Sequence, residues 1–140
     1  MKAHLTRRYQ FPASHRLHNG AFTPEENQRI YGKCNNPHGH GHNYALEVTV
    51  SGQVDPETGM VCNLTDLDGF VDREILEHFG HANLNVLREF ERLVPTTENL
   101  CAAIYSRLKE QFRHARVEKV RMEETMMNSF EYAGGGDLQH

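Results

Sequence analysis

Between Tyr44 and Val50 the chain alternates without a break. Tyr44, Leu46, Val48 and Val50 fall on one side of an extended backbone, and Ala45, Glu47 and Thr49 on the other. A strict period of two marks a strand buried on one face. The fold therefore needs a sheet with one apolar face and elements to cover it. Leu67, Phe70, Val71, Ile75 and Phe79 recur at helical spacing and predict an amphipathic helix over 66–79. A second helix is predicted from Thr96, a good N-cap, with Glu98 at the positive end of the helix dipole. Leu100, Ile104, Leu108 and Phe112 form its buried stripe. Further strands are predicted over 3–10, 116–125 and 127–133. A short one over 60–64 follows the turn signal Asp55-Pro56-Glu57-Thr58-Gly59 and completes a hairpin. Residues 16–33 and 80–95 read as loops. The order is ββααββ, an α+β pattern. A length of 140 residues predicts one domain, residues 1–133, with 134–140 as a flexible C-terminal tail.

Composition narrows the function classes. A net charge of −4 argues against general nucleic-acid binding, which wants a basic face. No run approaches the ~18 apolar residues that a membrane span needs. The segment MKAHLTRRYQF has no apolar core of a secretory signal. Three irregularly spaced cysteines do not make a disulfide framework, so a reducing, cytoplasmic setting is expected. Apolar residues make up only 38%, which fits a chain that shares burial with other subunits.

Histidine is the unusual quantity: ten residues, three of them at alternating positions in Cys34-Asn35-Asn36-Pro37-His38-Gly39-His40-Gly41-His42-Asn43-Tyr44. On an extended chain, residues two apart point to the same side, so two imidazoles can converge on one ion. Gly39 and Gly41 let backbone and ion come close. Imidazole suits Zn²⁺. A catalytic zinc has three protein ligands and an open position, so a third ligand must come from elsewhere. His15, just after the first strand, is the candidate. Spacing alone leaves two registers open, His38 with His40 or His40 with His42. It also leaves open a closed structural site with Cys34 as a ligand.

The chain resembles the 6-pyruvoyl-tetrahydropterin synthases and, more distantly, the 6-carboxy-tetrahydropterin synthases. The resemblance runs from Phe11 to about Tyr132. It is carried by Ala13-Ser14-His15-Arg16-Leu17, Gly32-Lys33-Cys34-Asn35-Asn36-Pro37, Gly39-His40-Gly41-His42-Asn43-Tyr44, Met60 to Leu67, Thr96-Thr97-Glu98-Asn99, and Glu124-Thr125. It implies a tunnelling fold, with ββααββ subunits joining as trimers into a barrel and two trimers into a hexamer, the active sites lying between subunits. It also implies the substrate, 7,8-dihydroneopterin triphosphate, with elimination of triphosphate and no external redox cofactor.

Residue by residue, the resemblance resolves the register. A reactive cysteine six residues before the first ligand selects His40 and His42, with His15 as third zinc ligand. Cys34 is then the base, with Lys33 beside it to favour the thiolate. Glu124 is the pterin anchor; it shares a strand face with Val120 and Met122, where a carboxylate needs a partner. Thr96 and Thr97 match pterin-contacting positions. Arg16, Arg29 and Lys33 are candidates for the triphosphate. Cys62 and Cys101 read as core. His81 matches a second proton-transfer residue, but the family places an Asp before it where this chain has Gly80; Asp66 or Asp68 could substitute from across a subunit boundary. Two other outcomes are carried forward: a 6-carboxy-tetrahydropterin synthase or related side-chain-cleaving enzyme, and a zinc- and pterin-binding oligomer with little catalysis.

Overall fold

The computed structural model describes residues 1–135. Five strands form one sheet in the order β3-β1-β2-β4-β5. They are β1 Lys2–His15, β2 His40–Gln53, β3 Ala82–Asn83, β4 Arg116–Thr125 and β5 Asn128–Tyr132. All pairings are antiparallel except the short parallel one between β1 and β3. Both long strands outrun their apolar cores. β1 and β2 pair residue for residue from Lys2↔Gln53 to His15↔His40, so the histidine-rich segment is the end of β2 rather than a loop.

Alternation decides the faces. Phe11, Ala13, Tyr44, Leu46, Val48, Val50, Val120 and Met122 line the covered side, and all are buried. β4 keeps both Val117 and Val120 on that side through a bulge. Val50 pairs with Val117 and Thr49 with Lys119, leaving Glu118 as the extra residue, and the Ser51 hydroxyl donates to its carboxylate. The other side is polar. Arg8 and Arg121 both pair with Glu47 and Glu123, and the Thr6 and Thr49 hydroxyls bond at 2.7 Å.

Two helices cover the apolar face. The first, α2 Leu64–Val71, runs on through a π-helical segment, Asp72–Leu76, and a closing turn, Glu77–Phe79. It buries the five residues whose spacing predicts it, Leu67, Phe70, Val71, Ile75 and Phe79. The second, α3 Thr97–Gln111, buries Leu100, Cys101, Ile104 and Leu108 and packs on β4 and β5. Each such side chain contributes about 1.5–3 kcal/mol. Arg7 and the Tyr9 hydroxyl both donate to Asp68, which ties α2 to β1.

Three sequence expectations are corrected. Residues 60–63 are irregular, with a bend at Val61 and Cys62, rather than a hairpin strand, because the Asn63 side chain accepts the Thr65 N–H and starts α2 at Leu64. The expected loop over 16–33 contains a helix, α1 Pro24–Tyr31. Its capping box is complete, the Thr23 hydroxyl accepting from Glu26 N–H and the Glu26 carboxylate from Thr23 N–H. The expected loop over 80–95 holds β3 and two 3₁₀ turns, Leu84–Val86 and Arg88–Phe90. Cys101 is core, its thiol pushed up to about 12 by burial; Cys62 is half-buried at the core's margin. Of the expected tail, Gly134 and Gly135 both have positive φ, and 136–140 lie outside the described residues. β1 has a strand partner on its outer edge only at Ala13 and Ser14, so most of that edge is open among the described residues.

Candidate active site

The β1–β2 register brings the histidines together. His15 lies opposite His40 and Ala13 opposite His42. By alternation His15, His40 and His42 all face the helix-covered side, at the end of the sheet where the apolar residues stop. The His42 ring meets His40 at 4.5 Å between centroids and His15 at 4.9 Å. His15 is fully buried. Its Nδ1–H donates to the Pro95 carbonyl at 2.9 Å, which fixes the tautomer and leaves Nε2 as the free acceptor. The Nε2 atoms of His15 and His42 are buried and have no hydrogen-bond partner. Burial lowers the pKa of both rings from the ordinary histidine value. Neutral imidazoles with unpartnered inward nitrogens are what a divalent ion requires.

Cys34 enters from a 3₁₀ turn, Gly32–Asn35. Its Sγ and one ring nitrogen each of His15 and His42 lie within 4.8 Å of one another. The turn is tied to the end of β1: Leu17 N–H donates to the Cys34 carbonyl at 2.7 Å, Asn35 Nδ2 to the Leu17 carbonyl at 2.8 Å, and Arg16 Nε to the Asn35 carbonyl at 3.1 Å. Arg16 is thus engaged in holding the cysteine turn. Arg29 and Lys33 are exposed. Gly39, with φ of 84°, allows the chain to pass between this turn and β2; a Cβ there would meet the His15 carbonyl at 3.6 Å. Lys33 does not dominate the thiol. Burial first, and then the Glu124 carboxylate, push Cys34 above its ordinary value. His38 is exposed on the Pro37–His38 turn.

Glu124 reaches the cluster from the end of β4, with Oε2 3.6 Å from His42 Nε2. The Thr97 hydroxyl donates to the same oxygen at 2.6 Å. The neighbouring Thr96 hydroxyl accepts the Asn99 N–H as the cap of α3. The two threonines therefore divide the work, Thr97 orienting the carboxylate and Thr96 placing the helix. Tyr44, legible in sequence only as a core residue, belongs to the site as well. Its hydroxyl is 3.4 Å from His15 Nδ1, and burial with the Glu124 charge raises its pKa.

His81 stands apart. It is exposed, and its N–H donates to the Pro12 carbonyl at 2.6 Å. With Pro12, Ser14, Gly41, His42 and Asn43 it lines a cavity of about 330 Å³, which reaches the cluster through His42 and to which Cys34 and Glu124 do not contribute. Within one chain Asp68 is held by Arg7 and Tyr9, and Asp66 is 3.8 Å from His114. Gly80 has a steric reason. A Cβ there would lie 2.4 Å from the Leu76 carbonyl oxygen, backbone that cannot easily yield. Gly80→Ala and Gly80→Asp are both expected to lower unfolding free energy by about 1–3 kcal/mol, measured by denaturant melts. Equal loss in both assigns the effect to the Cβ rather than the charge.

Comparison with known proteins gives the chain its family. The family described as 6-pyruvoyl tetrahydropterin synthase matches residues 4–135. The 6-pyruvoyl tetrahydrobiopterin synthase of Homo sapiens is 42% identical over 134 residues, 95% of this chain and 92% of that protein. The one from Poecilia reticulata is 44% identical over 132 residues, 94% and 90% of the two chains. The solved structure of Caenorhabditis elegans 6-pyruvoyl tetrahydropterin synthase superposes with a TM-score of 0.90 at 36% identity, covering 96% of this chain and 97% of that one.

Proposed function

The chain belongs to the 6-pyruvoyl tetrahydropterin synthase family, and on that premise we propose that it is a zinc-dependent lyase converting 7,8-dihydroneopterin triphosphate into 6-pyruvoyl-tetrahydropterin with loss of triphosphate. The observation that carries the reading is the convergence of His15, His40, His42, Cys34 and Glu124 at one end of the sheet. His15, His40 and His42 hold the ion, with the unpartnered Nε2 atoms of His15 and His42 as two of its anchors. Zinc, when bound, polarises the substrate's side-chain hydroxyl oxygens and acidifies the adjacent C–H bonds.

The remaining work falls to the chain's own groups. Glu124 accepts the paired N–H donors of the pterin ring, with Thr97 fixing its rotamer. Cys34 Sγ takes protons from the side-chain carbons, and His81 is the second proton-transfer group. The oxidation of the side chain is balanced by reduction of the ring, so no external redox partner is needed. Residues 1–133 act as one domain. Free Cys34, Cys62 and Cys101 suit a cytoplasmic setting, and no helix among the described residues is long and apolar enough to cross a membrane.

The open edge of β1 and the polar uncovered sheet face support assembly into a barrel-forming trimer and a hexamer of two trimers. Sedimentation is expected to give six chains; a stable monomer at working concentration would overturn it. The activity is tested by incubating zinc-loaded protein with 7,8-dihydroneopterin triphosphate and weighing the products. A mass matching 6-pyruvoyl-tetrahydropterin with free triphosphate is expected. A 6-carboxy product, or binding without turnover, would replace this reading with one of its rivals.

A further inference from the structure

His81 is the one non-glycine residue with positive φ among the described residues, at 57°. A histidine in the left-handed region costs of order 1 kcal/mol and persists only where its surroundings impose it. Those surroundings begin in the preceding helix. The π-helical segment Asp72–Leu76 widens that helix before its last turn, a feature that often sits beside functional residues. The Glu74 carbonyl inside it receives a hydrogen bond at 2.9 Å from Arg107 Nη1, reaching across from α3. The other Arg107 arm, Nη2, is 3.4 Å from Glu89 Oε2. That same oxygen accepts from His78 Nε2 at 2.7 Å.

These groups grip the closing turn of the helix from two sides. The Arg107 guanidinium lies 5.8 Å over the Phe79 ring, and the His78 ring meets Phe79 edge-on at 4.6 Å. Phe79 is fully buried. Gly80 then closes tightly onto the Leu76 carbonyl, its N–H bonding there at 2.8 Å, and His81 emerges with its N–H on Pro12. The backbone path of residues 78–81 is thus fixed by side chains on α3 and on the 3₁₀ turn that holds Glu89, with no carboxylate at position 80.

We infer that Arg107 and Glu89 are positioning residues for His81: they clamp the π-helical segment and the last turn of the helix, and so orient by backbone path the imidazole that an adjacent Asp orients in the family pattern. The inference rests on the assignment of His81 to proton transfer. A misplaced catalytic group loses rate without losing substrate affinity.

The test is a double-mutant cycle on the zinc-loaded oligomer, assayed well below its melting temperature. Arg107→Met is expected to lower kcat about tenfold with KM changed by less than about twofold. Arg107→Lys, which keeps one donor, should recover part of the loss, and Glu89→Gln should fall between them. In a His81→Ala background, Arg107→Met should lower kcat no further. The inference is overturned if Arg107→Met and Glu89→Gln lower only the melting temperature, or if their loss multiplies that of His81→Ala. Should Arg107→Met fail to fold, Glu89→Gln carries the same cycle. If His81→Ala alone leaves kcat unchanged, the assignment of His81 fails and the inference with it, an outcome distinct from a His81 that matters and a clamp that does not.

Discussion

Replacing His42 with alanine is expected to empty the proposed zinc site. The His42 ring is the centre of the cluster, in contact with both His15 and His40, and its Nε2 is buried without another partner. Loss of a mere outer-shell partner of a ligand costs roughly 10–100-fold in metal affinity, so loss of the ligand itself should cost more than about 100-fold. Zinc per chain after dialysis should drop from about one to background, and turnover should vanish with it. His15→Ala should behave the same way and should also destabilise the fold, because His15 is fully buried and bonded to Pro95. His38→Asn is the matched control: the side chain is exposed and metal content should not change. Zinc retained in His42→Ala, or lost in His38→Asn, would move the site to the other histidine register.

How much of this site is legible in the sequence depends on how local its causes are. The alternation of His40, His42, Tyr44 and Leu46 is a property of one strand, so the shared face of the two histidines can be read from their spacing alone. Their convergence with His15 cannot, since it follows from a register in which β1 pairs with β2 to its last residue. Helix α1 is hidden in a stretch that reads as loop, although Thr23-Pro24-Glu25-Glu26 carries a capping box and a proline in the first turn; the surrounding Asn and Gly residues mask a local signal that is present. The helix over 66–79 is plain from its apolar spacing, but its π-helical segment has no sequence signature, being stabilised by Arg107 from another element. Gly80 is visible as a departure from the family pattern. Its steric cause, the approach of the Leu76 carbonyl, is tertiary. Tyr44 and Thr97 follow the same rule. Tyr44 reads from its own spacing only as core, and Thr97 enters the site by resemblance to the family; each is tied into it by a partner distant in sequence, His15 for one and Glu124 for the other.

Replacing Cys34 with alanine is expected to reduce kcat by at least about 100-fold, the scale of a positioned acid–base group, while leaving zinc content and pterin affinity near those of the parent. The geometry makes this a sharp question. Cys34 Sγ lies within 4.8 Å of the His15 and His42 nitrogens, close enough to be either a neighbour of the ion or a ligand to it. Burial and the Glu124 carboxylate both raise the thiol above its ordinary value, so its ionisation depends on a cation being brought close. His40 provides the alternative third ligand, through its contact with His42. The two arrangements separate cleanly in a pair of variants. If Cys34 is the base, Cys34→Ala keeps its zinc and binds pterin through Glu124 and Thr97 but does not turn it over, whereas His40→Ala loses zinc. If Cys34 is a ligand, the metal contents reverse, and Cys34→Ala loses zinc and activity together. Undiminished turnover in Cys34→Ala would remove the thiol from the chemistry and leave a histidine to carry the proton transfers.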